Sequence, residues 1–276
     1  MLTKRLRMTI VATLCVATLA IAGVALSGCG SDTTSSSTSS TTSTSDYKLV
    51  NAGELTIGSD LDYKPMEYLD SDEKPEGFDV AMMTEVCKRL GLKLNYLAPQ
   101  NFDTLITQVA AGTKMDVAVS SITITDERKE LVDFSSPYYD SNQAVVIRKD
   151  SSYTDKSQLN GETVGAQSGT SGEEWVKENY TKSKYVPYNS TSDLLAALRA
   201  GKIEAAVYDE PVAENGVANE YKDCKILSVI PTGEQYGIAI NKSNTALETA
   251  INKALADMQS DGTMDKLKET WIKGSK

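Results

Sequence analysis

The 276 residues contain no histidine, three phenylalanines, two tryptophans and ten fewer cations than carboxylates, with 28 Lys+Arg against 38 Asp+Glu. The missing imidazole excludes Ser-His-Asp and Cys-His nucleophiles, His-ligated zinc and any histidine proton shuttle. The missing basic excess excludes the electrostatic footprint of a nucleic-acid binder. Cysteine is scarce too. Cys15, Cys29, Cys87 and Cys224 form no CxxC pair and no metal-ligand spacing. Cys87 and Cys224 are expected to stay two separate thiols, and neither a metal nor a cofactor is implied. What remains, 40% apolar and 24% charged, is an ordinary globular composition. At roughly 100–200 residues per domain the length allows one large domain or two modest ones.

The one long apolar run stands at the start. Lys4, Arg5 and Arg7 precede Met8–Ala25, which carries no charge, as in an export signal. Leu26-Ser27-Gly28-Cys29 resembles the bacterial lipobox, which implies a signal peptide over 1–28 and acylation at Cys29. Loss of Lys4, Arg5 and Arg7 takes the formal charge from −10 to −13. Residues 31–45 are Ser and Thr apart from Asp32. Nothing there can be buried, so 29–46 reads as a lipidated cysteine and a disordered spacer. The expected location is the extracytoplasmic face of the cell membrane, held by lipid.

From Tyr47 onward short apolar runs alternate with helical patterns, which predicts an α/β fold with mostly parallel sheets. Strands are expected over 54–59, 92–96, 115–120, 143–148, 162–166, 185–188, 203–208, 226–230 and 236–240. Helices are expected over 78–91, 103–111, 172–179, 192–200, 211–220 and 245–271, the last broken near Gly262. One pattern occurs twice. Leu105-Ile106-Thr107-Gln108-Val109-Ala110-Ala111-Gly112 leads through Lys114 into a strand, and Leu194-Leu195-Ala196-Ala197-Leu198-Arg199-Ala200-Gly201 leads through Lys202 into another. Two related halves with facing strand ends would make a cleft, because open α/β sheets bind ligands beyond the carboxyl ends of their strands.

Four motifs occur in order: Asp60-Leu61-Asp62-Tyr63-Lys64-Pro65-Met66-Glu67-Tyr68 with Gly77-Phe78-Asp79-Val80; Ser120-Ser121-Ile122-Thr123-Ile124-Thr125-Asp126-Glu127-Arg128; Gln167-Ser168-Gly169-Thr170-Ser171-Gly172; and Ala205-Ala206-Val207-Tyr208-Asp209-Glu210. Across 54–272 the chain resembles the polar amino acid-binding proteins of ABC importers, the extracellular solute-binding proteins of family 3. The resemblance implies a two-lobe, type II periplasmic-binding-protein-like fold with two hinge strands. Lobe 1 would be 47–143 plus 233–276 and lobe 2 would be 144–232. It also implies an amino acid ligand, a membrane permease as partner and a monomeric chain.

A free amino acid is a zwitterion. Its carboxylate needs a guanidinium and N–H donors, and its ammonium needs a carboxylate with hydroxyl or carbonyl acceptors. Matching the motifs to that need, Arg128, Thr170 and Ser121 are expected at the ligand carboxylate. Asp209, Thr123 and Ser121 are expected at the ammonium. Asp60, Tyr63, Phe102 and Gln143 are expected around the side chain, with Asp60 slightly favouring arginine or lysine over glutamine. Surface pairing with Asp126 or Glu130 is the plain alternative for Arg128, and helix capping is the plain alternative for Thr170, Ser171 and Asp209. Two other functions share the fold: a small dehydratase acting on a cyclohexadienyl amino acid, for which Glu67 or Glu210 would be the acid, and a lipid-anchored ligand sensor.

Overall fold

Two five-stranded sheets organise the chain in the computed structural model, which describes residues 47–273. The expected signal over 1–28, Cys29 and the spacer to residue 46 lie outside the described residues. The first sheet runs Lys93–Tyr96, Glu54–Gly58, Val117–Ala118, Ala239–Ile240, Asp133–Phe134. The second runs Lys184–Tyr188, Thr163–Gln167, Ala205–Asp209, Tyr139–Arg148, Cys224–Tyr236. In each, the first three strands are parallel and the last two add antiparallel. The expectation of mostly parallel sheets therefore holds for one side of each sheet only. The antiparallel strands come from the connections between the halves, which no βαβ pattern announces.

Those connections are longer than their apolar runs. Tyr139–Arg148 begins four residues before the expected strand, and Cys224–Tyr236 is continuous where two strands separated by a loop were expected. Polar residues interrupt the alternation at Ser141-Asn142 and Thr232-Gly233-Glu234, yet the ladder continues as Glu234↔Ser141, Gln235↔Asp140 and Tyr236↔Tyr139 after a register shift past Ile230. A bulge of this kind lets paired strands bend between two bodies. A second unexpected element is the small antiparallel sheet Asp62–Tyr63, Glu67–Leu69, Pro75–Glu76. Its strands have two or three residues, too few for a period to register.

The helices form where apolar spacing and stops coincide. Phe78–Leu90 buries Phe78, Met82, Met83 and Val86 and ends at Gly91, whose φ of 70° closes the helix by the left-handed turn that glycine adopts without Cβ strain. Helix Thr245–Ser260 lays Leu247, Ile251 and Met258 into the same core as Phe78 and as Leu55 and Ile57 of the first sheet. Fully burying one such side chain stabilises the fold by about 1.5–3 kcal/mol. Val145, Leu159, Val164, Val176 and Val207 form a separate core under the second sheet. Cys87 and Cys224 are buried free thiols, and burial pushes Cys87 up to about 12. Among the described residues no helix is long and apolar enough to cross a membrane.

Candidate functional site

The carboxyl ends of both sheets open on one cavity. About 270 Å³ of empty space is lined by Asp60, Tyr63, Phe102, Ser120, Ser121, Thr123, Arg128, Gln167, Thr170, Ser171 and Asp209. Eight of the expected ligand contacts share this wall: Asp60, Tyr63, Phe102, Ser121, Thr123, Arg128, Thr170 and Asp209.

Arg128 sits in helix Asp126–Leu131, started by the Thr125 hydroxyl, which accepts from the Arg128 N–H at 3.2 Å. Its guanidinium is buried. Nη1 donates to the Thr123 carbonyl at 2.6 Å, and Nη2 donates to the Gly169 carbonyl of the second half at 2.8 Å. The group lies 5.7 Å from the centre of the Phe102 ring. No carboxylate pairs with it among the described residues; Asp126 pairs instead with Lys129 at 3.2 Å. Surface pairing, the plain alternative, is thus excluded. Burial pulls the guanidinium below its ordinary value, while Glu174, Asp209 and Glu234 oppose the shift from a distance. A buried cation without a counter-ion is costly. A guanidinium has five N–H donors, and these two bonds leave the others able to take an anion.

Across the cavity, helix Ser171–Asn179 begins at Thr170. The Thr170 hydroxyl is committed to the helix: it accepts from the Glu173 N–H at 3.2 Å and donates to the Gln167 carbonyl at 2.8 Å. Ser171 is not the cap. Its hydroxyl donates to Glu234 Oε2 at 2.9 Å and lies 3.3 Å from the Thr123 hydroxyl. What the helix start offers the cavity is its unpaired N–H groups and the positive end of its dipole.

Asp209 ends strand Ala205–Asp209 and precedes helix Glu210–Asn219, but its side chain does not cap that helix. Its oxygens accept instead from Gln143 Nε2 and from the Tyr236 hydroxyl, the latter at 2.5 Å, and its N–H donates to the Tyr63 hydroxyl at 3.0 Å. Burial, reinforced by the Glu234 charge, raises Asp209 to about 7. Asp60 is raised to about 6, again chiefly by burial. It accepts from Gln167 Nε2 of the opposite half at 3.0 Å, and its other oxygen lies 3.1 Å from the Ser120 hydroxyl.

Gln143, expected at the ligand side chain, is not among the residues lining the cavity. It is fully buried behind Asp209 and off the cavity wall, donating to Asp209 and to Glu234 Oε2 at 3.0 Å. Its position in a ladder with Ile230 turns the side chain toward the hinge. Glu234, Gln167 and Ser120 carry contacts that sequence reasoning did not assign. Gln167 stood in a quoted motif without a role. Glu234 lay in a polar stretch read as a loop, and one of its oxygens accepts from Thr123, Gln143 and Ser171 together. Glu67 is sealed beneath Ser120 and Ser121, so the acid nominated for dehydration does not reach the cavity; Glu210 accepts from Asn142. Among the described residues no cluster of three metal-ligating side chains occurs.

The chain is similar to several known proteins. The arginine-binding extracellular protein ArtP of Bacillus subtilis is 35% identical over 228 residues, 81% of this chain and 88% of that protein. The L-cystine-binding protein TcyJ of Escherichia coli is 31% identical over 227 residues, 82% of this chain and 85% of that protein. An ancestral arginine-binding protein, solved bound to glutamine, superposes with a TM-score of 0.76 at 36% identity, covering 80% of this chain and 99% of that one. An ancestral arginine-binding protein solved bound to arginine superposes with a TM-score of 0.75 at 37% identity over 80% and 98% of the two chains. These likenesses identify the fold as the two-lobe type II arrangement. Residues 55–274 match one family across nearly all of the folded chain. The protein belongs to the bacterial extracellular solute-binding proteins, family 3.

Proposed function

We propose that this chain is the amino acid-binding component of an ABC importer, closing two lobes around a zwitterion and delivering it to a membrane permease. The observation that carries the reading is Arg128: a buried guanidinium with no carboxylate partner among the described residues, facing a helix start from the other half. Arg128, Ser121 and the N–H groups after Thr170 take the ligand carboxylate. Asp209, Thr123 and Ser121 take the ammonium. The Thr170 hydroxyl, engaged as a helix cap, leaves its backbone to serve the ligand.

Tyr63, Phe102 and Asp60 enclose the side chain. A buried acid that forms no ion pair among the described residues suits a guanidinium or ammonium tail, so arginine and lysine rank ahead of glutamine. Similarity to an arginine-binding protein supports that order, and the ancestral relative bound to glutamine keeps glutamine second. The lobes are 47–143 plus 233–276 and 144–232, bending at the paired segments around Ser141 and Glu234. The protein works as a binder, not as an enzyme. It acts as a monomer, tethered outside the membrane through lipid on Cys29.

Thermal unfolding with each of the twenty L-amino acids tests the ligand class. Arginine is expected to raise the midpoint most, with a smaller shift for glutamine; a flat response to all twenty overturns the reading. For the tether, Cys29→Ser is expected to release the protein into the medium. Retention of that variant at the membrane contradicts it.

A further inference from the structure

Two acids lie beneath the cavity floor, out of reach of anything the cavity holds. Glu67, on strand Glu67–Leu69, and Asp79, in the first turn of helix Phe78–Leu90, are fully buried. The two carboxyls are within hydrogen-bonding reach of each other, and the strongest charges acting on Glu67 are the acids Asp79 and Asp60. No lysine or arginine forms an ion pair with either among the described residues; the helix's cations Lys88 and Arg89 pair with Glu85 at its far end.

The backbone brings the two acids together. Gly77 has a φ of 122°, and a Cβ there would stand 2.4 Å from the Met66 carbonyl oxygen. Only glycine lets the helix start dock, with the Phe78 N–H donating to the Pro65 carbonyl at 3.0 Å and the Asp79 N–H to the Met66 carbonyl at 2.8 Å. Glu67 comes directly after Met66 and is thereby held beside Asp79.

Above the pair lies the Ser120–Ser121 turn of the cavity wall. Ser121 has a φ of 49°, a left-handed conformation that a non-glycine residue holds only when its surroundings enforce it. The enforcing contacts are these acids. Glu67 Oε1 accepts from the Ser120 hydroxyl at 2.9 Å, Glu67 Oε2 from the Ser121 hydroxyl at 3.0 Å, and Asp79 Oδ2 from the Ser121 N–H at 2.9 Å. The other titratable groups around them are acids or phenols. Tyr138 donates to Asp79 Oδ2 at 2.9 Å, Tyr96 brings a buried hydroxyl from strand Lys93–Tyr96, and Asp60 is joined through the Ser120 hydroxyl.

Two touching carboxylates in a dry, cation-free site cannot both stay charged. A proton between them makes one a donor to the other. Asp79 is the better seat for the charge, because it lies at the positive end of a helix and accepts from a backbone N–H. Asp79 Oδ1, buried with no other hydrogen-bond partner, fits as the acceptor of that proton. We infer that Glu67 and Asp79 hold one proton between them, Glu67 as the acid and Asp79 as the carboxylate, and that this pair positions the Ser120–Ser121 turn for the ligand. The last step rests on the amino-acid reading of the cavity; the proton and the turn do not. Burial raises Glu67 well above the ordinary carboxyl range and Asp79 to about 6, in keeping with that division.

Three variants and three readouts test the pair in the ligand-free full chain and with L-arginine and L-glutamine as probes. Infrared difference spectra at pH 8.5, where Asp209 and Asp60 have ionised, are expected to show a protonated-carboxyl band in the wild type that Glu67→Gln removes. Glu67→Leu, which deprives both serines of their acceptor, is expected to speed amide exchange at Ser121 and weaken binding by about 30-fold. Glu67→Gln, whose amide donates to Asp79 and whose carbonyl accepts from a serine, is expected to restore both within about threefold. Gly77→Ala, which pushes the helix start off Met66, is expected to mimic Glu67→Leu at Ser121. A band that survives Glu67→Gln overturns the shared proton. Unchanged Ser121 exchange in folded Glu67→Leu overturns the positioning role. A wild type that binds neither probe removes the amino-acid reading, while the band and the exchange rates still decide the pair.

Discussion

Strands Glu54–Gly58 and Thr163–Gln167 hold equivalent places: each is second in its sheet, with a parallel neighbour on both sides. Their carboxyl-terminal connections differ. After Thr163–Gln167 only Ser168, Gly169 and Thr170 precede the helix, so a helix start lies bare at the cavity. After Glu54–Gly58 the small sheet from Asp62 to Glu76 intervenes, bringing Tyr63 over the cavity and Glu67 under it. The same contrast holds at the third strands. Val117–Ala118 leads to Ser120-Ser121 and onward to Arg128, whereas Ala205–Asp209 ends on a carboxylate. A repeated scaffold thus carries unlike ends: a cation and hydroxyls on one side, an acid and N–H groups on the other. A zwitterion would satisfy both at once, which would make closure and binding one event.

Substitutions that erase the contrast give the largest effects. Arg128→Ala removes the cation of the first half and is expected to weaken amino acid binding about 1,000-fold, read by calorimetry, because a charge-assisted contact is lost from a buried site. Asp209→Asn removes the acid of the second half and is expected to cost about 100-fold. It also changes the pH profile. Asp209 must ionise to receive an ammonium, so wild-type affinity is expected to rise as pH passes upward through about 7, and the variant to lack that rise. Gly169→Ala tests the approach of the halves. At φ 77° a Cβ would stand 2.8 Å from Asp103 Cα across the cleft, and about tenfold weaker binding with an unchanged ligand-free fold is expected.

Smaller effects sharpen the comparison. Asp60→Asn is expected to lower the arginine-to-glutamine affinity ratio about tenfold, measured by paired titrations. Ligand-free stability tracks the raised carboxyls. The folded state binds protons at Asp209, Asp60 and Asp79 up to about pH 6–7, whereas the unfolded chain releases them near pH 4. Their contribution is therefore present at low pH and lost as pH rises through 6 to 7. The unfolding midpoint without ligand is expected to be about 5 °C higher at pH 5.5 than at pH 8, with a smaller difference in Asp209→Asn.

The fold was legible wherever burial imposes a period. Helix Phe78–Leu90, the Ala-Gly stops at Gly112 and Gly201, and the break at Gly262 result from side-chain spacing and from glycine's freedom at a helix end. The repeated Leu105 and Leu194 patterns do occupy matching places, each leading into the third strand of its sheet. The connecting strands were hidden because Ser141, Asn142 and Glu234 commit their polar side chains to Tyr236, Glu210 and Thr123, and such residues break the alternation that marks a strand. The cavity lining was legible through residue types in ordered motifs, since Asp60, Tyr63, Ser121, Thr123, Arg128, Thr170 and Asp209 all stand in them and all reach its wall. Gln143 lies behind the cavity wall and Glu234 was missed for a common reason: which face a connecting strand turns inward depends on its ladder partner, and a single strand's sequence does not state that register.

Calorimetric titration of wild type and Arg128→Ala with L-arginine and L-glutamine decides whether the buried guanidinium is the ligand clamp. One site per chain is expected in the wild type, with arginine tighter than glutamine, and heat too weak to fit for either ligand in Arg128→Ala. Equal affinity of the two proteins for the same amino acid would contradict it.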